Sequence, residues 1–402
     1  MKTRNIITAT LLSVALAGSF SCRKLQEYNP SGSTADAIWS TPEGFVTNVN
    51  AAYSEQRNWY GKEDGIFMSE TGTDLWFNRD KNTYAAQLTQ YLGLTPTTGN
   101  PIRATWTRLW IGINLCNAGI NRINEAGFID STEKHRREGE LRFLRAFYYW
   151  HVVETWGGVM LRTQETREPV LTATRSPVED FYDLILSDLQ FAADNLPNQS
   201  EWGDEYSRAS DKSALGFLAR AYLSRAYYAT GQERTDFFTK ARDVAMDIIN
   251  RKEELGLALW DSPADLWNPD NNKRNKEALY IVSNSTNAGL NIDNQGNRTF
   301  QVFQTPYNNR PGLTQSLEYG FENNRRLMPT RALLNYFNPD IDARYIASFQ
   351  EVWIANRDYT WNAADAATYK KNPGVIGEQL RAGIDTAMVI TREHLTNEPN
   401  LP

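Results

Sequence analysis

The sequence predicts a mainly α protein, a helical-repeat core that carries an irregular, loop-rich layer with a few short strands. Three observations predict it. Between residues 104 and 256, apolar positions recur at the helical period in segments bounded by caps and joined by short connections. In the last two of these segments, small and aromatic residues recur at intervals that let paired helices approach. Residues 59–103 and 257–402 lose the period, and Gly, Pro, Asn and Asp are scattered there among Trp and Tyr.

The 402 residues, 41% hydrophobic and 12% aromatic, can bury a sizeable core in one large domain or two. A net charge of -6, spread as mixed signs, lacks the basic patch or stripe that nucleic acid requires. Lys2 and Arg4 precede an apolar run from Ile6 to Gly18, too short to span a bilayer but fitting the central region of a secretory signal. Ser19-Phe20-Ser21 then leads into Cys22, which is similar to a bacterial lipoprotein signal: residues 1–21 would be removed and the Cys22 thiol lipidated. An ordinary secreted protein with an incidental cysteine is the alternative. Residues 22–36 are polar around Pro30 and read as a tether, which leaves 37–402 as the domain. Cys116, inside LWIGINLCNAGI, reads as a small buried hydrophobe with no cation nearby to stabilise a thiolate.

The domain opens with Thr41 as N-cap, Pro42 at the first helical position and Glu43 in the first turn; Phe45, Val46, Val49 and Ala52 follow at helical spacing. Residues 61–104 show no sustained period and read as loop-rich surface, where binding residues concentrate. Helical patterning resumes at Ala104 and stops at Gly127, and a second helix runs from about Ser131 to Thr155, closed by Gly157-Gly158. Ser176-Pro177 starts a third that ends at Pro197. The segments from Asp211 to Gly231 and from Phe237 to Gly256 form a helix-turn-helix in which Leu215, Ala219, Tyr222 and Leu223 face Phe238, Ala241, Ala245 and Ile248; this is similar to a tetratricopeptide repeat. The core thus spans about 104–256. Beyond it, EALYIVSNS reads as one strand, and MPTRALLNYFNPDIDARYIASF contains one short helix after Pro329-Thr330.

No catalytic or metal-ligating set emerges. His135, His151 and His394 are far apart, and no HExxH, zinc-spaced cysteine cluster, nucleophile elbow, P-loop or dinucleotide fingerprint is present. His151 and Glu154 read as an ordinary helix pair. Asp340-Ile341-Asp342 and the run from Asp293 to Asn297 lack calcium-loop spacing and read as capped turns. No cofactor is expected. The loops are rich in aromatics, and a sugar ring, with flat CH faces and a rim of hydroxyls, is held by aromatic planes beside Asp, Asn and Arg. TGTDLWFNRD offers that mixture in Asp74, Trp76, Asn78 and Arg79, flanked by Trp59, Tyr60 and Tyr84; Tyr307 and Arg310 form a second wall. Trp76 or Phe77 anchoring its own loop is the competing reading.

The stretch LRFLRAFYYWHVVETWGGVML, residues 141–161, resembles the most characteristic segment of the SusD/RagB family of Bacteroidota surface lipoproteins, an arginine-bearing aromatic helix ending at a Gly-Gly turn. FVTNVNAAYSEQRN, WTRLWIGINLCNAGINRI, SPVEDFYDLILSDLQFAADNLP, SALGFLARAYLSRAYYATG, EALYIVS, MPTRALLNYFNPDIDARYIASF and AGIDTAM match further family segments in order, from residue 37 to about 390. Family members continue into a further helical pair, so the chain is expected to lack its C-terminal part. The resemblance implies a lipid-anchored protein on the outside of the outer membrane. It would bind oligosaccharide or peptide and deliver it, as a lid, to a SusC-like TonB-dependent transporter, without catalysis. A secreted glycosidase and a helical-repeat scaffold acting between proteins are the alternatives. Within the aromatic helix, apolar positions wrap nearly the whole circumference, so Phe147-Tyr148-Tyr149-Trp150 reads as a buried spine, with Arg142 or Arg145 finding polar partners at its edge.

Overall fold

The computed structural model describes residues 35–78, 85–128, 130–273, 275–287, 289, 296–320 and 327–392. The signal, Cys22 and the tether as far as residue 34 lie outside the described residues, as do Arg79, Tyr84, Asp293 and His394; the last two tether residues open the first helix. After a short α1 (Ala35–Trp39), the layers are built from α2 (Pro42–Gln56), α3 (Glu63–Glu70), β1 (Trp76–Asn78), α4 (Ala85–Thr89), α5 (Ile102–Arg122), α6 (Ser131–Trp156), α7 (Val178–Asn195), α8 (Asp211–Tyr228) and α9 (Gly231–Asn250). The long helices stack in chain order, α2 on α5, α5 on α6, α6 on α7, α7 on α8 and α8 on α9. A mainly α, tetratricopeptide-like stack is what the sequence predicts.

Local chemistry sets the helix ends. Thr41 Oγ1 accepts from Gly44 N at 3.1 Å, which satisfies an orphan donor of α2. Asp130, one residue ahead of the predicted start, caps α6 by accepting from Thr132 N at 2.8 Å. Gly157 ends that helix at φ 69, its N–H donating to Val153 O. The last helix begins six residues earlier than its periodicity indicates, because Gly231, at φ 55, makes the turn from α8 after only Ala229 and Thr230. The pairing of α8 and α9 is also rotated from the expected one. Tyr222 meets Phe237 at 6.2 Å, whereas Leu223 and Phe238 face outward.

The core confirms α6 as the spine. Leu141, Leu144, Tyr148, Tyr149, Val152 and Val153 are fully buried against α5, α7 and α8. Tyr148 donates to Ala52 O at 2.6 Å and Tyr149 to Arg162 O. Arg145 lies in the interior rather than at the edge: Nε and Nη2 grip both oxygens of Asp188 at 2.7 and 2.8 Å, and Nη1 donates to Asn117 Oδ1 at 3.0 Å. Gly112 lets α5 approach, since a Cβ there would lie 2.5 Å from the Tyr148 ring.

The loop layer contains more structure than its sequence texture indicates. Residues 61–104 include α3 and α4, and β1 pairs antiparallel with β2 (Leu327–Pro329) across more than half the chain, Trp76 opposite Pro329 and Asn78 opposite Leu327. Two further two-stranded sheets join β3 (Val352–Ile354) to β6 (Thr386–Val389) and β4 (Tyr359–Thr360) to β5 (Gln379–Leu380). Residues 277–285 form no strand. Side chains of the stack hold the segment: Ser213 Oγ of α8 donates to Leu279 O at 2.7 Å, Tyr280 donates to Gln56 Oε1 of α2 at 2.6 Å, and Ser283 donates to Ser207 Oγ, in the turn before α8, at 3.0 Å. After Pro329 there are two short helices, Arg331–Asn335 and Arg344–Ser348, where the sequence indicates one. A second core of Tyr307, Leu313, Tyr319, Trp353, Trp361 and Leu380 lies under this layer, and a third, small one joins Phe67, Leu88, Val302 and Leu327.

Candidate functional site

The turn between α2 and α3 places Trp59 and Tyr60. Gly61, at φ 69, passes the chain through it, and its carbonyl accepts from Arg298 N at 2.7 Å. Lys62 Nζ donates to Gly296 O, which ties the turn to the loop layer. Gly65 has no space for a side chain, because a Cβ would overlap the Trp59 carbonyl oxygen. The backbone of Trp59 is thus held by a residue six positions on.

Trp59 and Tyr60 border a recess of 770 Å³ between α3, α6 and α8, completed by Phe147, Trp150, Phe217 and Arg220. The Trp59 ring lies edge-on to Tyr60 and to His151, at 4.6 Å from each, and Phe217 lies edge-on to Trp150 at 5.6 Å. Tyr60 is 41% exposed at the mouth, whereas Trp59 is 8% exposed. Arg220 lies over the Trp150 ring at 5.1 Å, and Trp150 Nε1 donates to Ser224 Oγ at 3.2 Å. Burial first, and the Arg220 charge second, push the His151 imidazole down to about 3, so the ring is neutral in the physiological range. On the other side of the Tyr280 segment lies a more polar recess of 540 Å³, bordered by Tyr53, Arg57, Tyr206, Arg208 and Lys273.

The remaining expected site residues fall in two other places. Asp74 is exposed, and its carbonyl accepts from Thr330 Oγ1 at 2.5 Å. Trp76 is half-buried with its ring 4.7 Å from Phe303, while Asn78 is buried on the same side of β1 and Phe77 turns outward. Strand alternation thus turns Trp76 and Asn78 toward the small core. The eight-residue α3, about 12 Å long, separates this group from Trp59 and Tyr60. Tyr307 is 1% exposed in the second core, its hydroxyl donating to Gly320 O and accepting from Ser316 N at 3.1 Å. Arg310 lies over the Tyr369 ring at 5.2 Å, with its Nε buried and unpartnered. The structure therefore joins Trp59 to Tyr60, sets Asp74, Trp76 and Asn78 beyond α3, and puts Tyr307 and Arg310 in a third place.

Sequence reasoning missed the α6 and α8 contribution to the recess. An α6 helix that is apolar nearly all round hides which of its faces is open, although Trp150-His151 and Arg220, polar-tipped among apolar neighbours, were the available signal. Among the described residues no cluster of three or more His, Cys, Asp or Glu could hold a metal ion, and no helix is long and apolar enough to cross a membrane.

Fold and site together define a helical-repeat protein with aromatic surfaces at the junction of its helical stack and its loop layer. The chain is similar to the SusD-like family. The family model SusD-like_3, described as starch-binding and associating with the outer membrane, matches residues 45–223. A SusD-like protein of Bacteroides ovatus is 27% identical over 292 residues, which are 70% of this chain and 50% of that protein. The starch-binding protein SusD of Bacteroides thetaiotaomicron is 27% identical over 210 residues, 50% of this chain and 34% of its own length. The crystal structure of a SusD-like protein from Bacteroides fragilis superposes with a TM-score of 0.59 at 25% identity, covering 76% of this chain and 54% of that one. The chain thus spans about half the length of the curated relatives it matches.

Proposed function

We propose that this protein captures oligosaccharide, or peptide, outside the cell and delivers it as a lid to a SusC-like TonB-dependent transporter in the outer membrane, held there by a lipid on Cys22. It binds and does not catalyse. The carrying observation is the family match together with aromatic rings at the junction of helical stack and loop layer: Trp59 and Tyr60 at one end of α3, Trp76 past the other. Such planes stack on the CH faces of a sugar, with Asp74 and Arg79 as hydroxyl partners, joined by Tyr84; Asn78 and Tyr307 are buried in the interior and Arg310 lies over Tyr369, so these three do not face the same ligand. A relative named for starch binding supports a glycan over a peptide.

Isothermal titration with maltoheptaose, laminarihexaose and xylohexaose tests the reading. Truncating Trp76 to Ala should weaken the binding of whichever glycan is taken by about tenfold, the value of one lost stacking plane. Unchanged affinity would remove Trp76 from the site, and release of reducing ends would indicate a glycosidase instead. Separately, Cys22→Ala should move the protein out of the membrane fraction; continued membrane attachment would refute the anchor.

A further inference from the structure

Tyr91 stands where the backbone favours glycine. It follows the last residue of α4 by two, the position at which helices commonly turn left-handed, and its φ is 57. Among the described residues only Lys370 shares that conformation without being glycine. Gln90 N and Leu92 N both donate to Ala86 O, at 3.2 and 2.9 Å, which closes the turn around it. A residue with a Cβ is disfavoured there roughly tenfold relative to glycine, and a bulky one is an outlier. Packing does not offset that cost, because the side chain is 63% exposed. Among the described residues its hydroxyl bonds only to Gly72 O, at 2.8 Å and at the surface, where water would serve nearly as well.

That bond fixes where the ring stands. Gly72, at φ 75, has no room for a side chain, since a Cβ would lie 2.4 Å from the Tyr91 hydroxyl oxygen and 2.7 Å from Leu88 O. Tyr91 is therefore held against the turn that leads into β1, where Asp74 follows Gly72 within about 7 Å of chain. Asp74 is exposed, and among the described residues it is bonded only through its backbone carbonyl, which leaves its carboxylate for a ligand. We propose that the Tyr91 ring is a stacking platform for one ring of a neutral oligosaccharide, whose hydroxyls donate to the Asp74 carboxylate. The assignment rests on the glycan-binding reading and deepens it. An exposed aromatic plane that is already pinned by its hydroxyl loses little freedom when a sugar settles on it. An apolar face beside an acceptor fits CH faces rimmed by O–H donors. Asp74 repels a carboxylated or sulfated sugar, which sets the ligand as a neutral one.

Two substitutions separate stacking from structure. Tyr91→Gly removes the ring and suits the left-handed backbone; Tyr91→Phe keeps the ring and removes the hydroxyl. Maltoheptaose, laminarihexaose, cellohexaose, xylohexaose and mannohexaose are titrated calorimetrically into wild type, both variants and Trp76→Ala, and thermal melting is recorded for each. A glycan bound by wild type is expected to lose about tenfold in affinity with Tyr91→Gly and less than about threefold with Tyr91→Phe, while Tyr91→Gly melts no lower than wild type. If Tyr91→Gly binds within about twofold of wild type, the platform is wrong, and a simultaneous loss with Trp76→Ala leaves the glycan-binding reading standing. A loss with Tyr91→Phe as large as with Tyr91→Gly would overturn stacking in favour of the hydroxyl. Melting of Tyr91→Gly more than about 5 °C below wild type would make the ring a packing residue instead. If none of the five glycans binds wild type, both readings fall.

Discussion

At the scale of single residues, the buried ion pair between Arg145 and Asp188 carries the clearest consequence. Asp188 is completely buried and receives three hydrogen bonds, two from Arg145 and one from Arg142 Nη1 at 3.1 Å. Replacing it with Ala leaves a buried guanidinium uncompensated and should cost about 3–5 kcal/mol, measured by urea denaturation. A loss below about 1 kcal/mol would mean that water or Asn117 takes over. His151 gives a pH dependence of definite sign. Its pKa in the folded protein, about 3, lies below the unfolded value of about 6.5. The unfolded chain therefore binds a proton that the native state refuses between those values. Stability is fully present above pH ~6.5 and falls as pH drops toward 3. The carboxyl groups of Glu55, Asp64 and Asp211, raised chiefly by burial, act in the opposite direction, so the comparison is between wild type and His151→Gln. The variant should lose about 2–3 kcal/mol less than wild type between pH 7 and 4.5. The sequence revealed these residues only as types. That His151 stacks against Trp59 depends on a turn and a helix brought together from far apart in the chain, which no local period encodes.

At the scale of elements, local signals and local structure agree wherever a cap or a glycine dictates the outcome. Thr41 with Pro42, Asp130, and Gly157 each end or begin a helix through their own backbone chemistry, so the boundaries of α2 and α6 were readable to within a residue or two. The elements that were missed depend on distant partners. β1 forms because Leu327–Pro329 lies beside it, and residues 277–285, although rich in strand formers, find helices rather than a strand to bond. The α3 helix is short and carries Gly65 in its first turn, whose value appears only against the Trp59 carbonyl. Close helix approach yields a test of its own. Gly112→Ala would drive a methyl into the Tyr148 ring, which is itself hydrogen-bonded to Ala52, and should cost about 1–3 kcal/mol on a urea melt. A neutral outcome would mean that α5 and α6 can separate without loss.

For the whole molecule, the helical stack and the 307–387 layer each have their own buried cluster. Separate cores unfold separately when few contacts bind them. Urea unfolding followed by far-ultraviolet circular dichroism, which reports the helices, should therefore not coincide with tryptophan fluorescence, to which Trp353 and Trp361 of the layer contribute. Coincident curves would show one cooperative unit. The mainly α architecture was legible from the sequence because helical repeats are locally encoded; the layer was not, because its sheets are two strands wide and its contacts span long stretches of chain.

Tyr280 and Val282 border both the aromatic recess and its polar neighbour, so the two hollows share a wall one segment thick. The Tyr280 hydroxyl is fastened to Gln56 at 2.6 Å, and its ring rests 4.8 Å from Phe143. A guest longer than one hollow must go round this wall or swing it aside. Joining the two hollows therefore means releasing three hydrogen bonds, Tyr280 to Gln56, Ser213 to Leu279 O and Ser283 to Ser207, so the segment partitions the surface as firmly as the helices that flank it.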